Sequence, residues 1–174
     1  MNNEVLQNIR TRRSCRAYTA QQVEPEKLKA ILEAGTWAAS GHGWQAAKIV
    51  VLQDAAEIAE LERMNAAVLG NPAAHPFYGA PVVCVVLTDP ERYTCVEDGS
   101  LVMGNLMLAA HSLGVASCWI HRAREEFDSP EGKALLKKWG VDERYIGVGH
   151  CILGYAANEA PAPKPRKNDY VIYR

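Results

Sequence analysis

The chain of 174 residues is short of every feature that would force a specialised class. Its five cysteines, Cys15, Cys84, Cys95, Cys118 and Cys151, contain no C-x-x-C pair and stand at irregular spacing. This excludes iron–sulfur and zinc patterns and suits reduced thiols better than a disulfide framework. No run approaches 18 apolar residues, so no membrane-spanning helix is expected. Met1 to Arg16 is polar and basic, without the apolar stretch of a signal peptide, which makes the cytoplasm the default location. Neither sign of charge dominates: 19 Lys and Arg face 20 Asp and Glu, for a net charge of −1, so nothing pulls the whole chain toward nucleic acid. His42, His111, His121 and His150 lack metal-ligand spacing, and there is no internal repeat or low-complexity tract.

What is present suits one globular domain over residues 1–174. Hydrophobic residues make up 48% and charged residues 22%, enough to bury a core without a metal or disulfide staple. Residues 24–34 read as a helix, with Pro25 at its first position and Leu28, Ile31 and Leu32 at helical spacing. Asp54 suits the cap of a second helix carrying Ile58, Leu61 and Met64, running out at Gly70-Asn71-Pro72. Leu101 to Leu113 is apolar on nearly every face, as in a buried helix, with Asp98 or Ser100 as cap and Gly114 as stop. Ser129-Pro130-Glu131 opens another, with Leu135, Leu136 and Trp139 inward and Gly140 at its end.

Between them lie four β-like runs: Lys48 to Gln53, Val82 to Thr88, Ala116 to His121 and Ile146 to Leu153. The run after Pro81 is apolar throughout, which predicts a strand covered on both faces. Gly147-Val148-Gly149 lies inside a strand run with no helix after it, so it is not a dinucleotide fingerprint. Helices alternating with four strands imply an α/β or α+β sandwich. The tail from Glu159 is Pro-rich and ends in the β-prone Tyr170-Val171-Ile172-Tyr173, which is expected to wrap over something beyond its own surface.

Arg12-Arg13-Ser14-Cys15-Arg16 is the most informative local feature. In an extended segment Arg12, Ser14 and Arg16 share a face. Two guanidinium forks around a hydroxyl make a receptor for a phosphate dianion. A solvated basic terminus is the commoner meaning of such a pattern. A nucleic-acid arm is a third reading, but no aromatic residue is interleaved for stacking. Lys164-Pro165-Arg166-Lys167 is a second basic cluster, held extended by prolines and able to return to the same phosphate.

Taken in order, the motifs resemble the nitroreductase family. Arg12-Arg13-Ser14-Cys15-Arg16-Ala17-Tyr18 is similar to its R-R-S-x-R-x-F/Y opening, and Ala38-Ala39-Ser40-Gly41-His42-Gly43-Trp44-Gln45 to its A-P-S-x-x-N-x-Q segment. Tyr78-Gly79-Ala80-Pro81, the helix through Asn105-Leu106-Met107-Leu108-Ala109-Ala110 and the segment Ser112 to Ile120 follow in family order. Gly149 to Tyr155 and Lys164-Pro165-Arg166 close the series.

The resemblance implies an α+β fold, a three-layer α/β/α sandwich about a mixed, mostly antiparallel sheet. It implies a homodimer in which the C-terminal strand, Val171-Ile172-Tyr173, is lent to the partner's sheet, and FMN bound at the interface. On that basis Arg12, Arg13, Ser14 and Arg16 would hold the phosphate and ribityl groups, joined by Lys164 and Arg166. Ala39, Ser40 and Gly41 would line the flavin from the partner subunit, Trp119, Ile120 and His121 would lie against the isoalloxazine, and Asn65 would bond its pyrimidine side. The implied activity passes hydride from NADH or NADPH to a small acceptor such as a nitroaromatic or quinone, by a ping-pong course with no protein nucleophile and no metal. The same fold also hosts flavin fragmentation, dehalogenation, azoline oxidation and non-catalytic flavin binding.

The chain departs from the family pattern where Gly43 replaces Asn and where Ala39 and Ala46 replace Pro. Glycine supplies no side-chain amide, so that contact must be lost or taken over by backbone. The short chain also lacks long inserted helices, which implies an open site.

Overall fold

The computed structural model describes residues 3–174. Its centre is the run read as doubly covered. Strand β2 (Val82–Thr88) is buried at every position. Its side chains alternate between two cores, with Val83, Val85 and Leu87 on one face and Val82, Cys84 and Val86 on the other. Burial of both faces explains why the strand shows no polar alternation. Strands β1 (Ala47–Leu52), β3 (Ala116–Ile120) and β4 (Ile146–Gly154) complete the sheet in the order β1-β2-β4-β3, with every pair antiparallel. A parallel element enters only as the bridge between Ser14 and Ser117 on the outer edge of β3.

Helices cover both faces, giving the three-layer α/β/α sandwich. One core packs Ile31 of α2 (Pro25–Thr36) and Met103 and Leu106 of α4 (Cys95–Ser112) against the sheet. The other packs Leu61 and Met64 of α3 (Ala55–Val68), Phe127 of α5 (Ala123–Asp128) and Leu136 of α6 (Pro130–Lys138). Pro25 opens α2 as expected, and the Asp54 carboxylate caps α3 by accepting from the N–H groups of Ala56 and Glu57 at 2.9 and 3.0 Å. Ser129 caps α6 through a 3.0 Å bond from the Gly132 N–H.

Two helices had no expectation in the sequence. The first, α1 (Glu4–Thr11), carries Val5, Leu6 and Ile9 on one face but buries no residue, leaving Val5 and Ile9 exposed. Its anchor is a side-chain amide: Asn8 donates to the Leu108 carbonyl at 2.9 Å. The second, α5, is one and a half turns long and follows Arg122, whose backbone is left-handed. Helix α4 begins at Cys95, one to two turns before the expected caps. Asp98 therefore lies inside the helix, and its buried carboxylate instead accepts from the Gly41 N–H at 3.0 Å and the Thr94 hydroxyl at 3.2 Å. Tyr170-Val171-Ile172-Tyr173 forms no strand within the protomer and is exposed throughout.

Candidate cofactor-binding site

Residues 14–18 run as an extended border on the sheet. Ser14 bridges Ser117, the Cys15 N–H donates to the Ser117 carbonyl at 3.0 Å, and Tyr18 bridges Ala156. This backbone produces the period of two that the Arg-x-Ser-x-Arg pattern anticipates. Ser14 and the charges of Arg12 and Arg16 all act on the buried thiol of Cys118 on β3. Burial pushes that thiol up, while a hydrogen bond from Ser14 and the charges of Arg16 and Arg12 draw it back down. Nη1 of Arg12 and the hydroxyl of Ser117 are buried with no protein partner. A buried donor without an acceptor is costly, so this cradle has the chemistry of an anion receptor.

Arg13 behaves differently. Its Nη1 donates to the carbonyls of Arg10 and Arg12 at 2.8 and 2.7 Å, tying down the end of α1. It still borders, with Ser14, Arg16, His111 and Asn158, a cavity of about 430 Å³ beside the cradle. His111 shares a 2.8 Å hydrogen bond with Thr11. Burial lowers its pKa first, and the positive charges of Arg12 and Arg13 lower it further. The histidine is thus a satisfied neutral neighbour of the cradle, placed at the end of α4.

At the other end of β3 the chain turns sharply. Trp119 is half-buried against the α2–α4 core, Ile120 is buried, and His121 is exposed. Asn65, expected to bond the flavin pyrimidine, is completely buried and has its amide engaged within the chain. Its Nδ2 donates to the His121 carbonyl at 2.9 Å. Its Oδ1 accepts from Nε and Nη2 of Arg122 at 3.0 and 2.8 Å. Sequence reasoning missed Arg122, because nothing in the sequence marks an arginine as the residue that takes a left-handed turn (φ 81).

The remaining expected residues lie elsewhere in the protomer. Ala39 and Ser40 line a separate, mainly apolar groove of about 850 Å³ between α2 and β1, with Leu28, Leu32, Ile49 and Val51. Gly41 is fastened by Asp98, and the Ser40 hydroxyl accepts from the Gln45 N–H at 3.1 Å. Gly43 has φ 68 with open space around it, and the loop is held by bonds from the Gly43 N–H to the Ser40 carbonyl and from the Trp44 N–H to the Gly41 carbonyl, both 3.1 Å. His42 stacks on Trp44 at 4.8 Å, and the Arg92 guanidinium lies 5.0 Å from the Trp44 ring centre. Lys164 and Arg166 are exposed on the tail, where Arg166 donates to the Lys164 carbonyl at 2.7 Å. One chain therefore unites Arg12, Ser14 and Arg16, leaves residues 39–41 on another face, and does not bring Lys164 or Arg166 to the cradle.

A three-layer sandwich carrying an anion cradle on a sheet edge defines a class of cofactor-binding α+β proteins, and comparison with known proteins makes it specific. The sequence model of the nitroreductase family matches residues 9–155. A nitroreductase with bound FMN from Bacteroides fragilis is 32% identical, with a TM-score of 0.92 over 99% of this chain and 100% of that one. A second, from Desulfitobacterium hafniense, also with bound FMN, is 30% identical with a TM-score of 0.91 over 100% of both chains. An Archaeoglobus fulgidus protein named "Putative NADH dehydrogenase/NAD(P)H nitroreductase" is 32% identical over 90% of this chain and 87% of its own. The chain belongs to the nitroreductase family.

Proposed function

We propose that the protein is an FMN-dependent oxidoreductase that passes hydride from NADH or NADPH to small electron-poor acceptors such as nitroaromatics and quinones. The observation that carries this reading is the convergence of Arg12, Ser14 and Arg16 at one end of β3, with a buried guanidinium nitrogen of Arg12 unpartnered. Two forks and a hydroxyl suit a phosphate monoester. From Ser117 to His121 the strand rises about 13 Å, and the residues that would hold a flavin gripped by its phosphate at the cradle are those of β3 and the turn at His121. FMN, when bound, supplies the hydride chemistry itself. The chain supplies the grip, the border strand and the turn.

The working unit in this reading is a homodimer. The apolar groove beside Ile49 and Val51 runs along β1, which has a strand neighbour on one edge only, and the exposed Tyr170-Val171-Ile172-Tyr173 tail is a β-prone segment without a partner in its own protomer. An unpaired apolar edge and an unpaired apolar strand complement one another. A partner's Ala39, Ser40 and Gly41 would then complete the flavin pocket, with Lys164 and Arg166 returning to the phosphate. The cytoplasm suits five free thiols, four of them buried, and among the described residues no helix is long and apolar enough to cross a membrane. Steady-state oxidation of NADPH or NADH with a quinone or nitroaromatic tests the activity. Parallel double-reciprocal lines are expected, and absence of turnover with FMN-loaded protein would refute it.

A further inference from the structure

The turn that follows β3 is fastened more heavily than a surface turn requires. Asn65 sits in the last turn of α3, completely buried beside Leu61 and Met64. An amide in that setting is costly unless its hydrogen bonds are made. Both of its functional groups are committed to two successive residues of one turn, the carbonyl of His121 and the guanidinium of Arg122. Neither bond serves α3 itself, where an aliphatic side chain would fill the same volume.

Arg122 accepts a left-handed backbone (φ 81, ψ 1), a conformation that side chains other than glycine and asparagine rarely adopt. Such a residue persists when its surroundings hold it, and here the double bond to Asn65 does so. The chain passes from β3 into α5 through only His121 and Arg122. The far side of the turn is fixed as well. Glu126 of α5 bonds His150 of β4, and His150 is the sheet partner of Ile120, the last residue of β3. The strand end, the turn and the helix start are thus held from three directions. Among the described residues Arg122 has no carboxylate within ion-pair distance, so its charge is oriented by the Asn65 amide without being neutralised.

We propose that Asn65 and Arg122 are a positioning pair that sets the turn at His121 and orients a positive charge there, and that they thereby tune the reduction potential of the bound cofactor. The proposal rests on the FMN reading above. Donors and charges fixed before reaction stabilise negative charge that collects on reduction, because no reorganisation is needed at that moment. Loosening the turn therefore makes the reduced cofactor less favourable.

Two variants separate this from a packing role. Arg122→Gly keeps the left-handed backbone at no steric cost and removes the guanidinium. Asn65→Asp keeps the acceptor for Arg122 and removes the donor to His121. The FMN dissociation constant, by flavin fluorescence, and the midpoint potential of bound FMN, by reductive titration, are measured on the full-length protein. Arg122→Gly is expected to bind FMN roughly tenfold more weakly, the size of effect typical of supporting residues behind a bound group, and to shift the midpoint to a more negative potential. Asn65→Asp places a carboxylate against the Arg122 guanidinium, neutralising its charge, and is expected to shift the potential in the same direction. If Arg122→Gly holds FMN with wild-type affinity and potential, the proposal is overturned and Asn65 is a core residue only. Should Asn65→Asp fail to fold, Arg122→Gly decides alone. A wild-type protein that binds no FMN overturns the functional reading itself, and the role of the pair with it.

Discussion

The carboxylate of Glu126 lies 2.5 Å from Nε2 of His150, and both side chains are completely buried. Phe77 and Phe127 flank the imidazole, with ring centres 5.3 and 6.2 Å away. Removing one member leaves the other polar group stranded in an apolar core. Glu126→Ala is expected to cost about 3–5 kcal/mol, while Glu126→Met combined with His150→Leu costs less than the sum of the two single changes. Urea unfolding of Glu126→Ala, of Glu126→Met and His150→Leu singly, and of the two combined, with midpoints compared at unchanged slope, checks this.

The phosphate cradle makes a different demand. Arg12→Ala or Ser14→Ala is expected to leave the fold intact and to weaken FMN binding. Losing a hydrogen bond to a charged group costs about 1.5–3 kcal/mol, which is about ten- to a hundredfold in dissociation constant. Arg12→Lys recovers part of the charge but not the planar fork, and is expected to bind FMN less tightly than the wild type. Arg13→Ala should have the smaller effect of the two neighbouring arginines on FMN, since Nη1 of Arg13 already serves the carbonyls of Arg10 and Arg12. Fluorescence titration of FMN into each apoprotein gives the order.

The pH dependence of stability carries a signature of His111. Its folded pKa lies below the ordinary value of 6.5, first through burial and then through Arg12 and Arg13. Just below pH 6.5 the unfolded chain therefore binds more protons than the folded one, and stability rises with pH through that window. His111→Gln, which keeps a partner for Thr11, is expected to flatten the rise. Urea midpoints of the apoprotein at intervals between pH 5 and 7 measure the difference.

Deleting residues 168–174 tests the proposed dimer. The deletion removes only the exposed end of the tail and leaves both cores untouched. Sedimentation is expected to show a dimer for the full chain and a monomer, or a much weaker dimer, for the shortened one.

The sheet was legible because its two central strands, β2 and β4, are buried at every position, which leaves a continuous apolar run such as Val82–Leu87. Three helices were legible through local chemistry at their starts: Pro25, Asp54 and Ser129 each stand where the structure uses them. Helix α1 was not, although Val5, Leu6 and Ile9 stand at helical spacing, because the stretch is short and lies in a polar, basic segment. In the site, the spacing of Arg12, Ser14 and Arg16 was readable as one face of an extended segment. The commitment of Arg13 to backbone carbonyls was not, since carbonyl acceptors have no sequence signature. Asn65 was singled out by the resemblance as a flavin contact, but within the chain it bonds Arg122, 57 residues away, which reaches it through a left-handed turn. Contacts of that range depend on how α3 packs beside α5, which local patterns do not encode.

The most direct test of the account is a visible absorption spectrum of the purified protein after incubation with FMN and desalting, recorded before and after NADPH or NADH is added under nitrogen. The account predicts a retained flavin spectrum that bleaches with the nicotinamide and returns when a quinone or nitroaromatic is added. A protein that leaves the column colourless would contradict it, and Arg12, Ser14 and Arg16 would then form a receptor for some other anion.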